Sequence, residues 1–303
     1  MCEDSIKIAF VIAYGNQYGL GHYVRMNTLA DVFVKYNCIC EFITDVNTDL
    51  GNYDIVIIDT YWVTDEFIAN TNKFTVCYDD NALYCYSCDV LINANFYAEE
   101  LNLRFGNKKP ELLLGSKYAL LRKQFQISEP ISVKEKAEKI FVCFGGSDLR
   151  NFTPKIVETL KDYNLEIVLG AETQCDENIK LPFHKNPENI AEIMKKCDIA
   201  VTACGSMVYE LASLGLPFIA VVQADNQQLV SEYIDKNNLG TICGDWNNFD
   251  SLQLKEEVEL LIGNYERRVE EHNNLIKAVN KNGAELVAKG ILEEYGKYCN
   301  SNT

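Results

Sequence analysis

His22 is one of only three histidines in this 303-residue chain. It lies in Gly19-Leu20-Gly21-His22-Tyr23-Val24-Arg25, directly after the apolar run of residues 6–13. The order predicts a strand, a glycine loop and the first turn of a helix. An open α/β sheet binds ligands at such a place, beyond the carboxyl ends of its strands. Imidazole titrates near neutral pH, so a histidine held there is suited to proton transfer. A lone histidine can also be a cap or a hydrogen-bonded packing residue, and its place in the glycine loop favours the chemical reading. Gly19 and Gly21 permit close backbone approach to a phosphate or sugar, and Arg25 adds a cation in the same turn. A tight strand-to-helix turn would use the same glycines. The spacing is not G-x-G-x-x-G and no acid ends a second strand, which argues against a dinucleotide site.

A second set of candidates lies in the other half. Gly145-Gly146-Ser147-Asp148 follows one predicted strand, and Ala203-Cys204-Gly205-Ser206 follows another and opens a helix carrying Glu210. Glycine-serine turns at helix starts present backbone N–H groups and a positive dipole end, which suit a diphosphate. Glu210, one turn inside its helix, can accept two bonds from a ribose diol. Each motif alone is also an ordinary turn; two in one half, opposite a glycine-histidine loop, favour a nucleotide-sugar site. Asp225-Asn226-Gln227-Gln228 opens the next helix, either as an N-cap or as a sugar-hydroxyl binder. Asp79-Asp80 carries the same ambiguity, and two adjacent acids without a third ligand make a poor metal site. Tyr61 and Trp62 either pack the domain surface or line the pocket.

The elements that must position these residues alternate between short β-rich runs and helical stretches, the pattern of parallel α/β sheets. Strands are expected at 6–13, 38–43, 54–59, 73–78 and 89–93, with helices near 22–36 and 64–71. Residues 54–59 form a continuous apolar run ending in Asp59, as a strand buried on both faces should. A polar segment from 128 to 139, containing Pro130, marks a boundary. It divides the chain into an N-terminal domain over 1–130 and a C-terminal, nucleotide-binding domain over 131–303. In the second series, strands are expected at 139–144, 164–169, 198–203 and 217–222. Thr153-Pro154 and Asn186-Pro187 read as helix starts, with proline at the first helical position. The last fifty residues, rich in Glu, Lys and Asn, read as two solvent-facing helices.

Composition narrows the class. The chain is 48% apolar, enough for two cores, and its net charge is −16. Such a surface repels nucleic acid and anionic membranes, so neither is expected as a partner. No apolar run approaches a bilayer span, and the acidic start lacks the basic residues of a signal peptide, so a cytoplasmic protein is expected. The twelve cysteines are scattered through strand-like runs and read as small buried hydrophobes of a reduced protein. Cys85-Tyr86-Ser87-Cys88 has no second pair at metal spacing and does not open a helix after a strand, so neither zinc nor redox use is expected. No metal and no cofactor are expected.

The joint order of motifs carries a resemblance. It comprises Gly-Leu-Gly-His-Tyr-Val-Arg, Ile57-Ile58-Asp59-Thr60-Tyr61, Asp79-Asp80 and Cys88-Asp89-Val90-Leu91-Ile92-Asn93-Ala94-Asn95, then Leu114-Gly115-Ser116-Lys117-Tyr118-Ala119-Leu120-Leu121-Arg122, Phe144-Gly145-Gly146-Ser147-Asp148 and Asp225-Asn226-Gln227. Over residues 6–240 the chain is similar to the UDP-2,4-diacetamido-2,4,6-trideoxy-β-L-altropyranose hydrolases of the pseudaminic acid pathway, relatives of GT-B glycosyltransferases. The resemblance implies an α/β, GT-B-like fold: two Rossmann-like domains with parallel sheets facing across a cleft, and UDP held mainly by the second. It implies His22 as catalytic base, with Tyr61 and Asn226 in the active site. The loops at Gly145, Gly146, Ser147, Gly205 and Ser206 would hold the diphosphate, with Glu210 toward the ribose. Gly19, Gly21, Arg25 and Asp225 complete the expected substrate contacts. The implied reaction is metal-independent hydrolysis of a UDP-sugar at C1 with inversion, by a monomer acting on UDP-sugar and water. A GT-B glycosyltransferase is the alternative. Two departures fall on the sugar side: Ala13-Tyr14-Gly15-Asn16-Gln17 replaces the usual arginine- and serine-rich stretch, and Asp59-Thr60-Tyr61 replaces Asp-His-Tyr.

Overall fold

Continuous apolar runs form the first sheet, as buried parallel strands require. In the computed structural model, which describes residues 5–13, 21–45, 47–60, 64–80, 85–106, 108–148, 150–174 and 179–301, the chain divides into two units. Unit 1 comprises Met1–Arg122 with Lys281–Thr303, and unit 2 comprises Lys123–Asn280.

Unit 1 opens with β1 (Lys7–Ile12), α1 (Gly21–Lys35), β2 (Ile39–Ile43), β3 (Ile55–Asp59), α2 (Asp65–Asn70) and β4 (Phe74–Tyr78). It continues through β5 (Cys85–Tyr86), β6 (Val90–Asn93), β7 (Arg104–Phe105) and β8 (Glu111–Leu114). Six strands form a parallel sheet in the order β2-β1-β3-β4-β6-β8, while β5 and β7 pair separately. After β1 the chain moves to one side for β2 and to the other for β3, so β1 and β3 flank the topological switch point. On α1, His22, Met26, Leu29 and Phe33 recur at helical spacing and are buried, and the last three join the core over β1.

Unit 2 repeats the plan. Its elements are α3 (Lys123–Ile127), β9 (Lys139–Cys143), α4 (Phe152–Thr159), β10 (Asn164–Leu169), β11 (Phe183–Lys185), α5 (Ile190–Met194), β12 (Ile199–Ala203), α6 (Met207–Leu214) and β13 (Phe218–Val222). α7 (Gln228–Lys236), β14 (Thr241–Asp245), α8 (Ser251–Gly263) and α9 (Tyr265–Ala278) complete it. The parallel order β11-β10-β9-β12-β13-β14 puts the switch point between β9 and β12. The fully buried Arg268 of α9 donates to the carbonyls of Leu261 and Ile262 at the end of α8 and to those of Lys134 and Glu135. It thereby fastens the polar segment read as a boundary onto unit 2, and the division falls earlier, after Arg122.

The closing helix departs from the expected 131–303 domain. α10 (Gly283–Ser301) buries Ala284, Val287, Ala288 and Ile291 in the cluster that contains β1, α1 and β4 residues, so it belongs to unit 1. Gly283 fits because a Cβ there would stand 2.3 Å from the Ala119 carbonyl oxygen. Three helices, not two, occupy the C-terminal region, and each buries one face. Two helix starts also shift. Asn151 precedes α4, so Pro154 is its third residue, and α5 begins after Asn189, whose side chain accepts from the Glu192 amide.

Candidate active site

In unit 1, the buried face of α1 carries His22 to the end of β3. Its Nδ1 lies 2.8 Å from Asp59 Oδ1, with His22 5% and Asp59 1% exposed. A carboxylate only accepts, so this contact places a proton on Nδ1. Arg25, three residues on, grips the same carboxylate with both edges of its fork: Nε donates to Oδ2 at 2.6 Å, and Nη2 donates to Oδ1. Nη2 also stands 3.1 Å from His22 Nδ1, but with Nδ1 protonated that approach is donor against donor, and the Asp59 bond takes precedence. Arg25 Nη1 reaches Asp80 Oδ2 at 2.7 Å, and the guanidinium lies 4.1 Å from the centre of the Tyr78 ring.

Burial alone would push the Asp59 carboxyl up, but the charge and hydrogen bonds of Arg25, with the bond from His22, hold it below the usual carboxylate range. Desolvation works against the Arg25 charge, and Asp59 and Asp80 overcome it. Burial pushes the Tyr78 phenol well above its ordinary value. Asn95 Nδ2 donates to Asp80 Oδ1 at 3.0 Å and the Tyr97 hydroxyl donates to the Asp80 carbonyl at 2.8 Å, fixing the second acid. Gly21 opens α1 on the exposed side. Gly19, Tyr61 and Trp62 lie outside the described residues.

In unit 2 the second set gathers at the carboxyl ends of the neighbouring strands β9, β12 and β13. Gly145 adopts φ +83, open only to glycine without strain, and a Cβ on Gly145 or Gly146 would meet nothing within 4 Å. The loop is held from behind: the Glu172 amide donates to the Gly146 carbonyl at 3.0 Å, and Gly170 packs so closely that a Cβ there would lie 2.3 Å from the carbonyl oxygens of Gly145 and Gly146. Asp148 accepts from the amides of Phe152 and Thr153, both at 2.9 Å, so the first turn of α4 is already occupied by a carboxylate. Ser206, by contrast, precedes α6 without a side-chain capping bond. Among the described residues no hydrogen bond takes the amides of Gly145, Gly146, Ser147, Gly205 or Ser206. Glu210 is buried in the first turn of α6.

Asp225 and Asn226 are exposed in the short turn before α7. Gln227, in the same turn, accepts from the Gln223 amide at 2.8 Å, and its amide nitrogen lies 3.6 Å from where a Gly205 Cβ would stand. Gln223 in turn reaches Asp148 Oδ1 at 3.4 Å. Sequence reasoning did not single out Asp59, Gly170, Gln223 or Gln227 as site residues. Asp59 carried a signal as the acid closing an apolar strand, and Gln227 as part of Asp225-Asn226-Gln227-Gln228.

The described cysteines are thiols, and burial pushes Cys204, next to the second loop, up to about 12. Of the C-x-x-C pair, Cys88 is buried, and the Cys85 side chain lies outside the described residues. Among the described residues no three His, Cys, Asp or Glu side chains are grouped to hold a metal ion, and no helix is long and apolar enough to cross a membrane.

Residues 115–289, more than half of the chain, match the family model described as "Glycosyltransferase family 28 C-terminal domain". Among curated proteins, the chain is 26% identical over 284 residues to "Uncharacterized protein MJ1062" of Methanocaldococcus jannaschii; the match covers 76% of the chain but 59% of that relative's length. It is 25% identical over 268 residues to the UDP-2,4-diacetamido-2,4,6-trideoxy-beta-L-altropyranose hydrolase of Campylobacter jejuni, covering 76% of the chain and 97% of that protein. Among solved structures, MurG of Acinetobacter baumannii superposes with a TM-score of 0.66 at 13% identity, covering 95% of this chain and 99% of that one. The α/β architecture of two six-stranded parallel sheets is that of GT-B glycosyltransferases.

Proposed function

We propose, for a chain that belongs to the glycosyltransferase family 28 C-terminal domain family, the hydrolysis of a UDP-linked 2,4-diacetamido-2,4,6-trideoxy sugar at its anomeric carbon in pseudaminic acid biosynthesis. The observation that carries the reading is the buried His22–Asp59 pair, which fixes one ring nitrogen as donor. Nε2 of His22 takes a proton from a water as the water's oxygen bonds to C1. The C1–O bond to UDP breaks on the opposite face, UDP departs with the bonding electrons, and the configuration at C1 inverts. The proton then passes from the imidazole to solvent. General-base help of this kind contributes about 10²–10⁴-fold, so stabilising the leaving diphosphate must supply much of the rest.

That second task falls to unit 2. The amides of Gly145, Gly146 and Ser147 and those of Gly205 and Ser206 ahead of α6 are donors suited to the diphosphate. Glu210 takes the ribose diol, and Asp225 and Asn226 take sugar hydroxyls or the attacking water. The name carried by the C. jejuni relative supports the substrate class. The reading assigns no metal or cofactor. A transferase reading keeps the same roles with an acceptor hydroxyl in place of water, and the family name favours it.

The deciding experiment incubates the protein with UDP-sugars and no acceptor and follows the products by NMR. Release of UDP together with free sugar of inverted configuration is expected. UDP release that appears only on adding an acceptor would overturn the hydrolase in favour of the transferase.

A further inference from the structure

Arg25 was expected among the substrate contacts, and its Nε, Nη1 and Nη2 each donate to a carboxylate of the protein. Nε and Nη2 form a two-point contact with Asp59, and Nη1 engages Asp80 at 2.7 Å. The guanidinium is also stacked 4.1 Å from the Tyr78 ring centre. A planar fork matched to a carboxylate edge on both sides is a fixed part of the scaffold. Nη2 also comes within 3.1 Å of His22 Nδ1.

A base that must accept a proton near neutral pH has to be neutral first. Beside a lone buried carboxylate, an imidazole gains its proton too readily, because the opposite charge favours the charged form. Here the carboxylate is shared. Asp59 Oδ1 receives His22 and Arg25 together, and Oδ2 receives Arg25. Among the groups facing the imidazole are Asp59 from β3 and Arg25 from its own helix. Behind Arg25 stand Asp80 and Tyr78 at the end of β4, and Tyr97 is bonded to the Asp80 carbonyl.

We propose that Arg25 is a positioning residue that keeps His22 neutral: it shares Asp59, so the acid orients the imidazole without fully charging it, and it places a fixed cation beside the ring. Asp80 opposes this by drawing Arg25's charge toward itself, so the two tune the base in opposite directions. The inference rests on the proposed role of His22 as base, but its test does not need turnover.

The test is an NMR titration of the histidine rings in the full chain, with the His22 signal assigned by its loss in His22→Asn. His184 and His272 serve as internal references. Arg25→Gln is expected to raise the His22 pKa by about one unit or more. Arg25→Lys, which keeps the charge, restores most of the wild-type value. Asp80→Asn, which keeps an acceptor for Asn95, shifts it the other way, and it provides the reading should Arg25→Gln fail to fold. In an active enzyme the acid limb of kcat/KM moves with each shift. An unchanged or lowered His22 pKa in folded Arg25→Gln overturns the inference, as does an unchanged or raised one in Asp80→Asn. The expected shifts without hydrolysis of any UDP-sugar support the role of Arg25 and sink the hydrolase reading alone.

Discussion

The two units build their candidate sites from different materials. In unit 1 the switch point between β1 and β3 carries three ionisable side chains joined by hydrogen bonds, His22, Arg25 and Asp59, and Arg25 extends the chain of bonds to Asp80 beyond β4. In unit 2 the corresponding switch point, between β9 and β12, presents backbone: glycine amides at 145–146 and 205, shaped by a positive φ and by the bare Cα of Gly170. Side chains concentrate chemistry in a few atoms, and each such atom is indispensable. Backbone amides spread a weaker positive field over several groups, and what matters is the space around them. In a chain of net charge −16, amides also supply anion donors without adding buried cations. Unit 1 should therefore fail when a functional atom is removed, and unit 2 when an atom is added.

The largest effect tests the first half of that contrast. His22→Asn should lower turnover by about 10²–10⁴-fold while UDP affinity, measured calorimetrically, stays at the wild-type value. Asp59→Asn should lose turnover comparably, because an amide can donate to Nδ1 and favour the wrong tautomer. It should also lose stability, by about 3–5 kcal/mol, since Arg25 is then left part-buried with one fewer acid. His22→Asn leaves the Arg25–Asp59 pair intact, so the two variants separate in denaturant though they match in activity. Full turnover in folded His22→Asn would end the assignment of the base.

The second half of the contrast is tested by adding one methyl group. A Cβ on Gly170 would stand 2.3 Å from two carbonyl oxygens of the 145–146 loop, a distance at which backbone must move. Gly170→Ala should weaken UDP binding by about tenfold, or 1.4 kcal/mol, and leave the His22 ring titration unchanged. Ser147→Ala keeps the amide and removes only a hydroxyl, so it should change UDP affinity much less. If the serine variant were the more damaging, unit 2 would be a side-chain site after all.

This division also explains what could be read from the chain. Strands buried on both faces appear as unbroken apolar runs, which is why 54–59, 139–144 and 217–222 coincide closely with β3, β9 and β13. The edge strand β11 has three residues, all exposed, and the edge strand β14 is broken by Gly244 and only partly buried, so their sequences carry no such run. His22 was conspicuous because a glycine loop precedes it. Its partner was not, because the contact spans 37 residues and exists only once β3 lies beside β1. The start of α4 was misplaced for a related reason: its amides are capped by Asp148, several residues upstream and outside the local capping pattern. The apolar spacing of α10 was visible, but which sheet that face joins is a tertiary fact.

The smallest effect concerns the sign of charge burial in the two units. Glu271 on α9, behind α6, is 5% exposed. Its Oε1 accepts from Arg267 Nε at 2.9 Å, and its Oε2 has no hydrogen-bond partner among the described residues. Burial pushes its carboxyl up, and Arg267 only partly reverses this. A raised carboxyl favours the protonated form in the folded state, so its stabilising contribution is complete below the unfolded value and disappears as pH rises through the folded one. Asp59 has the opposite sign: its carboxyl is depressed, so its contribution is present above the unfolded value and lost as pH falls through the folded one. Glu271→Gln keeps an acceptor for Arg267 while removing the buried charge, and it should match wild type in acid yet exceed it by about 1 kcal/mol at pH 8. Asp59→Asn should trail wild type most at pH 8 and converge with it in strong acid. Denaturant unfolding of both variants at several pH values measures the two slopes, and slopes of the same sign would erase the distinction between a carboxylate held by two donor side chains and one held by a single arginine.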